Sequence, residues 1–174
     1  AEVYAVDEAG TLHFFYREGG AWQHSLVPGV KVDGAISAVY SPRRGHTEAF
    51  FRGDDGRLHF VYAEHSQWRH EHAAFAGMGA VTGALAATFA QQRQESEVFL
   101  RGEDGRLRYV YCHEGVWMFD AGTFAPGGVV AGGVAAIFNP RQNHSEVMFL
   151  GADGRIHHFS IRGPQGWVHE VTGL

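Results

Sequence analysis

Cysteine is almost absent from this 174-residue chain: only Cys112 is present, so no internal disulfide can form and disulfides say nothing about compartment. A lone thiol in an apolar stretch reads as a small buried hydrophobe. Basic residues are few, 14 Lys and Arg against 19 Asp and Glu, for a net charge of -5. That balance excludes a nucleic-acid binder, which needs a basic stripe to displace counterions. No segment approaches the ~18 consecutive apolar residues of a membrane helix, so no membrane insertion is expected. The first residues lack the basic, apolar, small-residue order of a secretory leader, and no localisation is assigned. Catalytic signatures are missing too: no Gly-x-Ser-x-Gly elbow, no His-Glu-x-x-His, no phosphate loop. No catalytic residue and no cofactor is expected.

What the chain does contain is repetition. EVYAVDEAGTLHFFY (2–16), EAFFRGDDGRLHFVY (48–62), EVFLRGEDGRLRYVY (97–111) and EVMFLGADGRIHHFS (146–160) are four versions of one phrase, led by Glu2, Glu48, Glu97 and Glu146 at spacings of 46, 49 and 49. Every tryptophan falls in register, at Trp22, Trp68, Trp117 and Trp167. Glycine is high, 24 residues, spread through the chain with regular partners, such as the turn glycines Gly10, Gly56, Gly105 and Gly154. A period of 40–50 residues marks a repeat architecture.

Each unit reads as short strands. GAISAVY (34–40), GALAATF (83–89) and GVAAIF (133–138) form a small-residue strand, with Ala38, Ala87 and Ala136 at its middle. The Glu-led strand follows, then an Asp-Gly turn whose glycine takes positive φ, then an aromatic strand holding Phe60 and Tyr62 or Tyr109 and Tyr111. A short fourth strand starts at the tryptophan. No helix is expected in 75–90, which carries three glycines among its alanines. Four strands per unit of about 48 residues is the pattern of a β-propeller blade. The expected fold is therefore all-β: a single domain, 1–174, forming a four-bladed propeller. Counted from the second strand of each blade, its repeats are 2–47, 48–96, 97–145 and 146–174. Small residues would sit innermost, where blades crowd, and the aromatics between blades. Three small-residue strands serve four blades, so the first blade lacks its innermost strand. Either an N-terminal segment or a second copy completing the ring would supply it.

The stretch from Ala86 to Trp117, with EVFLRGEDGRLRYVY at its centre, resembles the blade of bacterial Photorhabdus-type propeller lectins. EAFFRGDDGRLHFVYAEHSQW (48–68) is similar to it as well. A more distant likeness is to the Aleuria-type fucose lectins. Their fucose-binding arginine is replaced by Glu2, Glu48, Glu97 and Glu146, and their polar partner on the third strand falls at Phe60 or Tyr109. The fucose site of that family therefore does not carry over. GGVAAIFNPRQNHSEVMFLG (132–151) also resembles four-bladed hemopexin-type domains, which implies a module that binds proteins or small ligands.

Because equivalent residues recur in every unit, repeated recognition fits better than one asymmetric catalytic centre. The expected function is multivalent carbohydrate binding, with glycans or glycoproteins as partners. The alternatives are a hemopexin-like interaction module, or a repeat scaffold without a ligand of its own. Trp22, Trp68, Trp117 and Trp167 offer flat apolar faces to sugar C–H groups. His24, His70 and His169 stand two residues after a tryptophan. His59, His157 and Arg108 share a position on the third strand, and all six could bond hydroxyls. The same residues could instead pack and bond between blades. His70 and His72 alternate within HSQWRHEH (65–72), but no Cys/His spacing is diagnostic and no metal site is expected. The polar segments SPRRGHTE, AQQRQESE and NPRQNHSE join the first two strands of each unit, at equivalent places where binding tends to sit.

Overall fold

A computed structural model describes residues 1–120, 122–161 and 166–172. The expected last repeat therefore includes residues, 162–165 and 173–174, that lie outside the described ones. The chain is built from four antiparallel meanders. Blade I is β1 (Glu2–Val6), β2 (Leu12–Glu18) and β3 (Ala21–Leu26). Blade II is β4 (Val32–Ser41), β5 (His46–Gly53), β6 (Leu58–Glu64) and β7 (Gln67–Glu71). Blade III is β8 (Val81–Ala90), β9 (Glu95–Gly102), β10 (Leu107–His113) and β11 (Val116–Asp120). Blade IV is β12 (Val130–Asn139), β13 (His144–Gly151), β14 (Ile156–Ile161) and β15 (Trp167–Thr172). The all-β class is as the sequence predicts, and blade I has three strands where its fellows have four.

The repeat in sequence becomes a repeat in register. Ala38 faces Ala49, Ala87 faces Val98 and Ala136 faces Val147. Each first strand also breaks register near its start, between Val32 and Ile36, Val81 and Leu85, and Val130 and Val134. Such a bulge bends the strand, and the glycines there permit it. Strand β8 packs against β4 on one side and β12 on the other. The backbone amide of Ala87 reaches Ser37 Oγ across that contact at 2.9 Å. Larger side chains would hold these strands apart, which is why alanine and glycine recur there. The stretch 75–90 divides into β8 and part of a single 3-10 turn, Ala73–Met78, that drives Phe75 and Met78 into the core.

The core is three cores, one between each pair of successive blades. Alternate side chains of one sheet serve different neighbours. In blade II, Phe51 and Val61 face blade I with Leu12 and Phe14, whereas Phe50 and Phe60 face blade III with Leu85 and Leu100. Phe99, Tyr109, Phe149 and Phe159 fill the III/IV interface. Burying each such ring stabilises by ~1.5–3 kcal/mol, so the blades are held mainly by each other. Among the described residues no core cluster joins blade IV to blade I. The outward faces of both carry exposed apolar side chains among polar ones: Trp22 on blade I is 55% exposed, and Ile137 on blade IV is 55% exposed.

Two glutamates add a second tie, Glu48 buried and Glu2 exposed. Glu48, 0% exposed, accepts a hydrogen bond from Ser96 Oγ of the next blade. Glu2 accepts one from Thr47 in the same way. The leading glutamates of blades I and II thus clamp each to the next blade, whereas Glu97 pairs with Arg93 and Tyr109 and Glu146 bonds Asn139, His144 and His158, all within their own blades.

Candidate functional site

The last strand of each blade starts at or one residue before its tryptophan, which in blades II to IV lies on the face turned to the preceding blade. Trp117 crosses Phe50, Phe60 and Phe75 nearly edge-on, with ring centroids 5.5, 5.4 and 5.3 Å away. Trp68 meets Phe14 at 5.2 Å, and Trp167 meets Tyr109 at 5.4 Å and Phe124 at 5.0 Å. These three tryptophans are half-buried wedges between blades. Trp22 has no preceding blade in this chain and stands exposed.

Beside Trp117 a cavity of about 390 Å³ opens between blades II and III, within the ~300–1,000 Å³ usual for small-ligand sites. Its polar wall comes from blade II. The turn before β5 closes with Gly45 N donating to Ser41 O at 2.8 Å, and Gly45 holds φ at 72°. That turn carries Arg44 into the groove. The Arg44 guanidinium donates to Glu48 Oε1 at 2.7 Å and to Cys112 Sγ at 3.2 Å. His46 stacks on Tyr62, centroids 4.6 Å apart, and the Tyr62 hydroxyl donates to Glu71 Oε1 at 3.3 Å. Burial, then the charges of Glu71 and Glu64, push the Tyr62 phenol up, so it stays a hydrogen-bond donor at neutral pH. Burial likewise raises the Cys112 thiol, whose sulfur is a packed, weakly polar contact for Arg44.

The other two interfaces vary this arrangement. Between blades I and II a groove of about 500 Å³ is lined by Phe14, Tyr16, Glu18, Ser25, Ser66 and Trp68. Between III and IV, Arg93 pairs with Glu97, bonds the Tyr109 hydroxyl and lies 5.7 Å over the Tyr111 ring.

The histidines predicted to join the tryptophans lie elsewhere. None of the predicted histidines lines either groove. They form chains running toward the Asp-Gly turns, at the opposite end of each blade. His59 Nδ1 is 2.8 Å from His70 Nε2, and His59 Nε2 is 2.9 Å from Asp55 Oδ1. His157, His169 and Asp153 repeat this at 3.0 and 3.1 Å. His13, His24 and Asp7 do so at 2.9 and 3.2 Å. In blade III, Arg108 replaces the first histidine, lying 3.5 Å from Asp104 and donating to Met78 O at 3.1 Å. Burial, then the neighbouring ring, lowers the His70 and His169 pKa values. Burial alone would raise Asp55, but the Arg57 amide and His59 hold it below the usual carboxylate range.

Sequence reasoning did not single out Arg44, His46, Tyr62 or Glu71 as a group. The available signal was the joining segment itself: Arg44 and Arg93 each precede a repeat-leading glutamate by four residues.

No family model matches the chain, and no curated protein matches it. Solved structures do match. The fucose-specific lectin from Aleuria aurantia superposes with a TM-score of 0.74 at 15% identity, over 98% of this chain and 55% of that one. Another structure of that fungal lectin, described as a six-bladed β-propeller, gives 0.68 at 15% identity over 98% of this chain and 56% of its own. A fucose lectin from Kordia zhangzhouensis, in complex with methyl-fucoside, gives 0.57 at 14% identity over 80% of this chain and 99% of its own. The present chain thus spans about half the length of the Aleuria lectin and shares the fold of β-propeller lectins.

Proposed function

We propose that this chain is a carbohydrate-binding propeller whose sugars sit in the grooves between successive blades, at the tryptophan end. The observation that carries the reading is the II/III groove. It sets an indole and a phenylalanine wall against Arg44, His46, Tyr62 and Glu71. A pyranose needs that combination: an apolar surface for its C–H face and charged or amphoteric partners for its hydroxyls. The fold shared with fucose lectins supports the substrate class. The ligating chemistry differs from the fucose pattern, since the strand position of the arginine holds buried Glu48 and the guanidinium comes from the preceding turn. A sugar recognised through a turn arginine, and not through the Aleuria arrangement, is therefore proposed.

In this reading the four blades are an arc of a six-bladed ring and not a closed four-bladed one. The half-length match to the Aleuria lectin and the exposed apolar side chains on the outer faces of blades I and IV, Trp22 and Ile137 among them, support it. Several weak grooves on one rim would then act together through effective concentration. No reaction is proposed for them.

The test is a glycan array on the intact chain, followed by Trp117→Ala and Tyr62→Phe. A reproducible hit weakened at least tenfold by both substitutions is expected. No hit, or a hit indifferent to both, removes the reading. A hit abolished only by Arg52→Ala would instead favour the competing small-ligand site near the inner strands, where Arg52 and Thr82 line a cavity of about 380 Å³.

A further inference from the structure

Blade II carries one residue that its counterparts lack. His72 follows β7, and its place in blade I is taken by Leu26 and in blade IV by Val171. A ligand atom from each of Asp55, His59 and His72 lies within 4.8 Å of those of the other two. The His59 and His72 rings run parallel, centroids 5.0 Å apart. Among the described residues this is the one three-donor group of its kind.

We infer that Asp55, His59 and His72 form a binding site for a borderline divalent cation, with zinc the best fit. Two imidazoles and a carboxylate are a common three-ligand set, leaving a fourth position for water. Tetrahedral zinc, with bonds of ~2.0–2.1 Å, places its donors roughly 3.4 Å apart. His59 Nε2 and Asp55 Oδ1 are already at 2.9 Å, so only His72 must swing inward. His72 and Asp55 are exposed and can turn, while His59 is buried and fixed.

His70 supplies the supporting contact. When a metal takes His59 Nε2, the His59 proton must sit on Nδ1, which lies 2.8 Å from His70 Nε2. His70 then accepts that N–H and fixes the tautomer and ring plane, as outer-shell partners of metal-bound histidines do. Binding exchanges the Asp55–His59 hydrogen bond for two bonds to the metal. Blades I and IV keep the paired histidines and the aspartate but have no third donor. They are internal controls. The site lies at the Asp-Gly turn end, away from the tryptophan grooves, and stands whether or not those grooves hold sugar.

The test is calorimetric titration of the intact chain with zinc chloride near pH 7.4, together with the cobalt absorption spectrum. One zinc per chain is expected. His72→Leu, which installs the residue of blade I, should weaken binding at least 100-fold while leaving the metal-free melting temperature unchanged. His70→Phe, the residue of blade III, should weaken it ~10–100-fold, and His169→Phe should change nothing. Absence of saturable binding below about 1 mM zinc, or equal affinity in His72→Leu, overturns the assignment.

Discussion

Arg44→Met is the sharpest test of how the blades are joined beside the groove. Its guanidinium is about one-third exposed, 32%, while its partner Glu48 is 0% exposed and also bonded to Ser96 of blade III. Met fills similar volume but leaves a buried carboxylate without its main countercharge. Breaking a buried pair from one side costs ~3–5 kcal/mol. The partial exposure of Arg44 and the nearness of His46, 3.5 Å from Glu48, put the expected loss at the lower end, about 3 kcal/mol. With a urea slope of about 2 kcal/mol per molar, the midpoint should fall by roughly 1.5 M. Arg44→Met/Glu48→Leu removes both charges and should recover to within about 2 kcal/mol of the parent, the residue being the stranded Ser96 hydroxyl. Urea unfolding followed by tryptophan fluorescence reads all three proteins, since Trp117 sits at this interface. If Arg44→Met shifts the midpoint by less than about 0.3 M, or if the double variant is weaker than the single, the clamp is not what holds blades II and III here.

Two further outcomes follow from the turn end of the blades. His70 and His169 have folded pKa values below their unfolded ones, so the unfolded chain binds protons first. Their contribution is complete above about pH 6.5 and is lost as pH falls through the lowered folded values; melting temperature in a pH series should drop there, and less steeply in His70→Phe/His169→Phe. Gly53→Ala should destabilise by about 1–3 kcal/mol, because its new Cβ would lie 2.5 Å from His59 Nε2 and push that ring off Asp55. Chemical denaturation measures the loss, and a neutral Gly53→Ala would mean that His59 moves freely.

The fold was legible because the period is written redundantly. Trp22, Trp68, Trp117 and Trp167, the Asp-Gly turns and the alanine strands all keep one spacing, and each has its own local cause. The tryptophan wedges were legible for the same reason. Arg44 was not, because a turn arginine becomes a groove residue only when its hairpin is laid against Cys112, 68 positions away. The histidine chains were half legible. His59 and His70 keep register with other blades, but in the hairpin His70 sits opposite Val61, and the diagonal contact to His59 needs the sheet's twist. The four repeats are the four sheets, but how many blades would close a ring is not written in them. A repeat specifies what packs between two sheets, while the angle between them comes from the summed volumes of side chains such as Phe50, Phe60 and Trp117.

The grooves differ in their linings for the same reason. Each is made by two blades, so a change in one repeat alters one wall of one groove and the opposite wall of the next. Blade II turns Tyr62, His46 and Arg44 toward Trp117, but offers blade I only Ala63 and Ser66 beside Trp68. Blade I supplies Tyr16, Glu18 and Ser25 there, with no arginine among the lining residues. Blade III turns Arg93 onto Tyr109 and Tyr111 toward Trp167, so its guanidinium already occupies aromatic surface that a sugar would cover. In the proposed reading, a ligand that stacks on the tryptophan and reaches the partly exposed edge of a turn arginine therefore favours the II/III groove over its neighbours. The near-identical repeats supply the shared wedge, and the variable joining segments supply the polar groups that differ from one groove to the next.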